Sequence, residues 1–105
     1  MTYANVLHAL GDQRRREILE SLSATPLSVG EIAKRQPVSR PAVSQHLKVL
    51  ISANLVNVEQ VGTRRLYHVR REGLDELRRW LDHFWDETLG AYEAEVKRQI
   101  EDANG

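Results

Sequence analysis

Apolar positions along the chain keep a helical period over most of its length and switch to β-type patterning once, in the middle. Tyr3, Val6, Leu7 and Leu10 fall at i, i+3, i+4 and i+7, which predicts a short amphipathic helix. Gly11 suits its C-terminal cap, and Asp12 suits the N-cap of the next helix. That second helix turns Ile18, Leu19 and Leu22 inward, carries Arg14, Arg15 and Arg16 near its start, and stops before Thr25-Pro26. Ser28-Val29-Gly30-Glu31 has the spacing of a capping box, with Leu27 and Ile32 at the flanking staple positions. Pro37 ends the third helix early. Ser39 caps a fourth, with Val38 and Val43 again in staple register and Pro41 in the first turn, where its missing amide hydrogen does no harm. Val43, Leu47, Leu50 and Ile51 form the buried stripe of this helix. Two short helices joined by a turn of roughly four residues, Gln36 to Ser39, predict a helix-turn-helix.

Asn54 suits a left-handed exit from the fourth helix. LVNVEQV then runs to Gly62-Thr63 and RRLYHVR continues beyond, which predicts a hairpin whose tip carries Gly62, Thr63, Arg64 and Arg65. From Glu72 onward the pattern is helical again, through Leu74, Leu77, Leu81, Phe84, Trp85, Leu89 and Tyr92, and Asp102 to Gly105 read as a frayed end. No repeat or linker divides the chain. The expected fold is mainly α with a two-stranded β-hairpin in one domain over 1–105: a fourth helix at about 39–52, the hairpin at about 55–70 and a last helix at about 72–100.

At 105 residues, 41% apolar and 29% charged, the composition is that of an ordinary globular domain. A domain this small buries only about two-thirds of its unfolded surface, so a partner subunit would add useful burial. The absence of cysteine excludes disulfides, thiolate metal sites and thiol nucleophiles. No apolar stretch is long enough for a bilayer-spanning helix, and MTYANVLHALGD lacks the features of a secretory signal, so a cytoplasmic location is expected. The zero net charge conceals an asymmetry: residues 1–71 hold 11 Lys and Arg against 5 Asp and Glu, and residues 72–105 hold 4 against 10. Within 34–71 the ratio is 8 to 1. One face for a polyanion would explain this, as would a lopsided solvated surface.

The spacing of the polar residues argues for the polyanion. With its apolar stripe inward, the fourth helix points Pro41, Ser44, Gln45 and Lys48 outward and leaves Arg40 at its exposed start. Ser and Gln suit base edges, while Lys48 and Arg40 suit phosphates. Arg64 and Arg65 on a thin ribbon suit a narrow minor groove, although charged residues also protect exposed edge strands. Lys34 and Arg35, on the helix ahead of the turn, are expected backbone contacts. His46 lies on the flank of the fourth helix, either contacting nucleic acid or packed. His68 is expected at the surface. Trp80, Phe84, Trp85 and Tyr92 form an aromatic stripe suited to subunit packing, the alternative being a small-molecule pocket. No nucleophile–base set, phosphate loop or apolar carboxylate pair is present, so no enzyme is expected.

LGDQRRREILESL, LSVGEIAKR, VSRPAVSQHLKVLISANLV and GTRRLYHV resemble the ArsR-type (arsenic-repressor-like) winged helix-turn-helix regulators of bacteria, from about residue 5 to residue 70 and most specifically at VSRPAVSQHLKVL. The resemblance implies a homodimeric repressor on a palindromic operator, with Ser44, Gln45 and His46 on a recognition helix and the hairpin as a wing. The DNA-contacting set is then Lys34, Arg35, Ser39, Arg40, Pro41, Ser44, Gln45, His46, Lys48, Thr63, Arg64 and Arg65. The family's dimer contact through the first and last helices maps onto Tyr3, Val6, Leu7, Leu10, Leu77, Trp80, Leu81, Phe84, Trp85, Leu89 and Tyr92. Autoregulation is common in that family. Many of its members sense metals through cysteines, or through an Asp-x-His and His-x-x-Glu set on the last helix. This chain has no cysteine, places Asp82 directly beside His83 and has no later histidine. It therefore resembles the metal-independent members, with neither metal nor cofactor expected. The remaining alternatives are a metal-responsive repressor of the same fold and a winged-helix module that binds protein rather than DNA.

Overall fold

Side-chain caps open three of the helices. The computed structural model describes residues 3–104 and begins with α1 (Tyr3–Leu10). Asp12 then accepts from the amides of Arg14 and Arg15 and starts α2 (Gln13–Leu22). Ser28 and Glu31 close a complete capping box at the head of α3 (Val29–Arg35). The Ser39 hydroxyl accepts from the Ala42 amide and starts α4 (Arg40–Ser52). Each cap satisfies amides that the first helical turn would leave open.

Gly11 follows the last turn of α1, its amide donating to the His8 carbonyl at 3.2 Å, and among the described glycines positive φ belongs to Gly62. The arginines of α2 reach back over the end of α1. Arg15 donates to the carbonyls of Ala9 (2.7 Å) and His8 (3.1 Å), and Arg16 donates to Leu10 (2.6 Å). Cations thus occupy carbonyls that the helix C-terminus would otherwise leave open. Arg14 bridges Glu17 on its own helix and Gln36 in the turn before α4, both at 2.8 Å.

Asn54 leaves α4 at φ 58, and the chain enters an antiparallel hairpin of β1 (Val56–Val61) and β2 (Arg64–Val69). The two-residue loop Gly62-Thr63 has positive φ at its first position, a geometry that follows the natural strand twist. Arg64 and Arg65, expected at the tip, are instead the first two residues of β2, opposite Val61 and Gln60. The hairpin is not a free ribbon. Leu27 and Tyr67 exchange backbone hydrogen bonds of 3.0 and 2.8 Å, an isolated bridge that pins the wing to the segment before α3.

The core gathers Val6, Ala9, Ile18, Leu22, Leu27, Ile32, Val43, Leu47, Leu50, Leu55 and Val56, with Tyr67 closing it under the wing. Ile51, expected in the buried stripe, is only half-buried at its margin. Val6 corrects another expectation. It is fully enclosed by its own chain, so it cannot itself form a subunit contact; the surface α1 leaves open carries Tyr3 and Leu7.

The last helix, α5, runs Arg71–Asn104, past the frayed end expected at Asp102. Arg98 pairs with Glu95 (2.6 Å) and Asp102 (3.5 Å), ion pairs at helical spacing that support the final turns. Its start is locked to the end of α4. The Gly73 amide donates to the Asn54 carbonyl at 2.9 Å, and Arg70 donates to the Asn54 side chain at 3.0 Å. Tyr3 stacks on Trp80 (4.7 Å) and Trp80 on Phe84 (5.5 Å), joining α1 to α5. Every residue from 81 to 104 is exposed, and the molecule measures 74 × 25 × 22 Å.

Candidate nucleic-acid interface

The fold brings the start of α4 against the wing. Between them lies a cleft of about 500 Å³ whose walls include Ser28 and Gly30 of the α3 head, Arg40 and Ser44 of α4, and Thr63, Arg64, Arg65 and Tyr67 of the wing. Five of the residues singled out in the sequence (Arg40, Ser44, Thr63, Arg64 and Arg65) therefore share one cavity. These five put three guanidinium groups and two hydroxyls on one concave surface, donors suited to an anion.

Two of those guanidinium groups are positioned by α3. Arg40 passes close over Gly30: a Cβ there would lie 3.0 Å from its terminal nitrogen, so the Arg40 guanidinium rests against the head of α3. Arg64 reaches across from β2 and forms an ion pair with the Glu31 carboxylate. The Glu31 carboxyl is held below its ordinary value, first by the Ser28 amide, then by the Ser28 hydroxyl, and further by the charge of Arg64. Arg65, exposed beside it, makes no ion pair among the described residues.

The other expected residues sit outside the cleft. Pro41, Gln45 and Lys48 are exposed along α4, and Lys34 and Arg35 are exposed at the end of α3. The Ser39 hydroxyl is committed to its own helix cap. His46 is half-buried, and the Asp12 carboxyl is held below its ordinary value, first by the Arg15 amide. His68 is also half-buried rather than at the surface. The sequence reading missed the part that Gly30, Glu31 and Tyr67 play in the cleft. Glu31 was visible as a cap, but its partner lies 33 residues away, and no local spacing signals such a pairing.

On α5, His83 and Glu87 approach to 3.1 Å, both largely exposed. Among the described residues no group of three or more His, Cys, Asp or Glu is placed to hold a metal ion. No described helix is long and apolar enough to cross a membrane.

Residues 12–58 match the profile of the family described as "Bacterial regulatory protein, arsR family". The chain is 55% identical over 84 residues to "HTH-type transcriptional regulator Rv2034" of Mycobacterium tuberculosis, covering 80% of this chain and 78% of that protein. It is 30% identical over 80 residues to "Transcriptional repressor SdpR" of Bacillus subtilis, covering 76% and 89%. Among solved structures, an "ArsR-like Transcriptional Regulator" from Rhodococcus sp. RHA1 superposes with a TM-score of 0.76 at 35% identity, covering 87% of this chain and 89% of that one. The winged helix-turn-helix domain of Mb0332 from Mycobacterium bovis, described as homodimeric, superposes at 0.64 with 31% identity, covering 80% and 78%.

Proposed function

The chain belongs to the ArsR family of winged helix-turn-helix, DNA-binding transcriptional regulators, and from that premise we propose that it is a homodimeric repressor reading a palindromic operator, its own promoter among the targets. The observation that carries this reading is the convergence of Arg40, Ser44, Thr63, Arg64 and Arg65 on one cleft beside the exposed face of α4. In this reading α4 enters the major groove with Ser44 and Gln45 against base edges. Arg40, Lys48, Lys34 and Arg35 meet phosphates, and the wing arginines lie along the phosphates that wall the neighbouring minor groove. Two copies related by a two-fold axis place their α4 helices about 34 Å apart, in successive major grooves. The protein works in the cytoplasm. Its release from DNA does not use thiolate metal coordination, for which the chain has no ligands.

Footprinting and fluorescence anisotropy on the region upstream of its own gene test this reading. A symmetric protected site is expected, with log affinity falling against log salt by about 0.9 for each phosphate neutralised. Gln45→Ala should relax preference at one base pair per half-site by about 1–3 kcal/mol. Arg65→Ala should weaken all sequences alike. Operator binding unchanged by both substitutions would remove these roles.

A further inference from the structure

Glu31 is an acid set among the cations of the cleft, and it is held there rigidly. Its Oε1 accepts the Ser28 amide at 3.1 Å, its own amide donates to the Ser28 hydroxyl at 3.2 Å, and the same oxygen meets the Arg64 guanidinium. The capping box thus removes the rotamer freedom a surface glutamate would have, and fixes a carboxylate where the wing can reach it. Arg64 remains exposed on its outer side, with 57% of its side chain accessible. A guanidinium bound to a carboxylate in this way is satisfied as it would be by a phosphate. We propose that Glu31 is an internal phosphate mimic: it holds the wing arginine Arg64 against α3 in the free protein, and DNA must displace it. The inference rests on the DNA-binding reading above and assigns Glu31 a regulatory part in it.

The consequence is electrostatic. When Arg64 turns to a phosphate, it leaves a fixed negative charge beside the duplex, so its gain is offset and its neutralisation of the backbone is incomplete. Glu31 therefore lowers phosphate-driven affinity without touching the base-reading residues of α4. Glu31→Gln separates this role from capping, because glutamine also serves at that position of a capping box.

Binding of the full-length Glu31→Gln variant and of wild type is compared on random-sequence duplex and on the operator, across a salt series, with thermal melts to confirm the fold. Affinity for both DNAs should rise about two- to fivefold, the range an exposed ion pair spans. The salt slope should steepen by about 0.9, one additional phosphate. The preference for operator over random duplex should not change. Arg64→Ala should then cost more in the Glu31→Gln background than in wild type. A slope and affinity left unaltered by Glu31→Gln would overturn the inference and leave the DNA reading standing. A wild-type protein that binds no duplex at low salt would overturn both.

Discussion

Gly73 lies where the first turn of α5 crosses the end of α4, and the two backbones meet with no side chain between them. A Cβ there would stand 2.8 Å from the Asn54 carbonyl oxygen and closer still to that of Ala53. Both obstacles are main chain, so no rotamer change relieves them. Gly73→Ala should destabilise by about 1–3 kcal/mol, the usual range for forcing atoms into a packed site. Gly90 is the control: it too is in α5, but a Cβ there meets nothing within 4 Å. Gly90→Ala should stabilise by roughly 0.5–1 kcal/mol, because alanine is the better helix former. Urea unfolding of the two variants checks the pair of signs, and equal effects would show that Gly73 is not a contact point. The junction also depends on Asn54, whose left-handed φ and side chain together receive Arg70 and Gly73.

Among the elements, α3 is the one whose stability should report on pH. The Glu31 carboxyl is depressed below its ordinary value, chiefly by the Ser28 amide and hydroxyl, so folding favours its ionised form. The sign follows from linkage. The contribution is fully present above the carboxylate's unfolded value and is lost as pH falls through the lower, folded one. Glu31→Gln does not titrate and should therefore lose less thermal stability than wild type between about pH 6 and pH 3. Melting curves at both pH values decide this, and parallel losses would mean the cap does not titrate. This cap was legible in the sequence because Ser28 and Glu31 signal each other across three residues, as Ser39 does within the first turn of α4 and Asn54 does through its own backbone preference. Features made by distant residues were not. The Leu27–Tyr67 bridge, the Arg64–Glu31 pair, the Arg14–Gln36 link and the arginine cap over α1 join positions whose proximity exists only after folding. The end of α5 was misread for a related reason. Asp102 to Gly105 read as frayed, while the Glu95–Arg98–Asp102 pairs support the helix through its final turn.

The whole molecule is too extended for a lone domain. Its radius of gyration is 20.2 Å, against about 13 Å for a compact chain of this length. The excess lies in α5, whose 34 residues span about 51 Å. Along its exposed part Leu81, Trp85, Leu89, Tyr92, Val96 and Ile100 recur at spacings of four, four, three, four and four. That rhythm is a repeat of about 11 residues, which keeps a stripe on one face of a nearly straight helix. Tyr3 and Leu7 of α1 add exposed apolar surface at the same end of the protein core. An apolar strip of this length is costly in water, and a second copy of the chain offers the same strip in return. Of the aromatic stripe read from the sequence, Trp80 and Phe84 stack within the chain behind Tyr3, while Trp85 and Tyr92 lie on the strip that the proposed homodimer would cover. Leu89→Glu places a charge in the middle of the strip, far from the core residues that hold the wing. It should convert the proposed dimer to a monomer by sedimentation while leaving the helix-turn-helix folded. Affinity for a full operator should then fall by about 10²-fold or more, because the second half-site no longer profits from tethering, while affinity for an isolated half-site stays the same. A Leu89→Glu protein that still sediments as a dimer would move the subunit contact off α5.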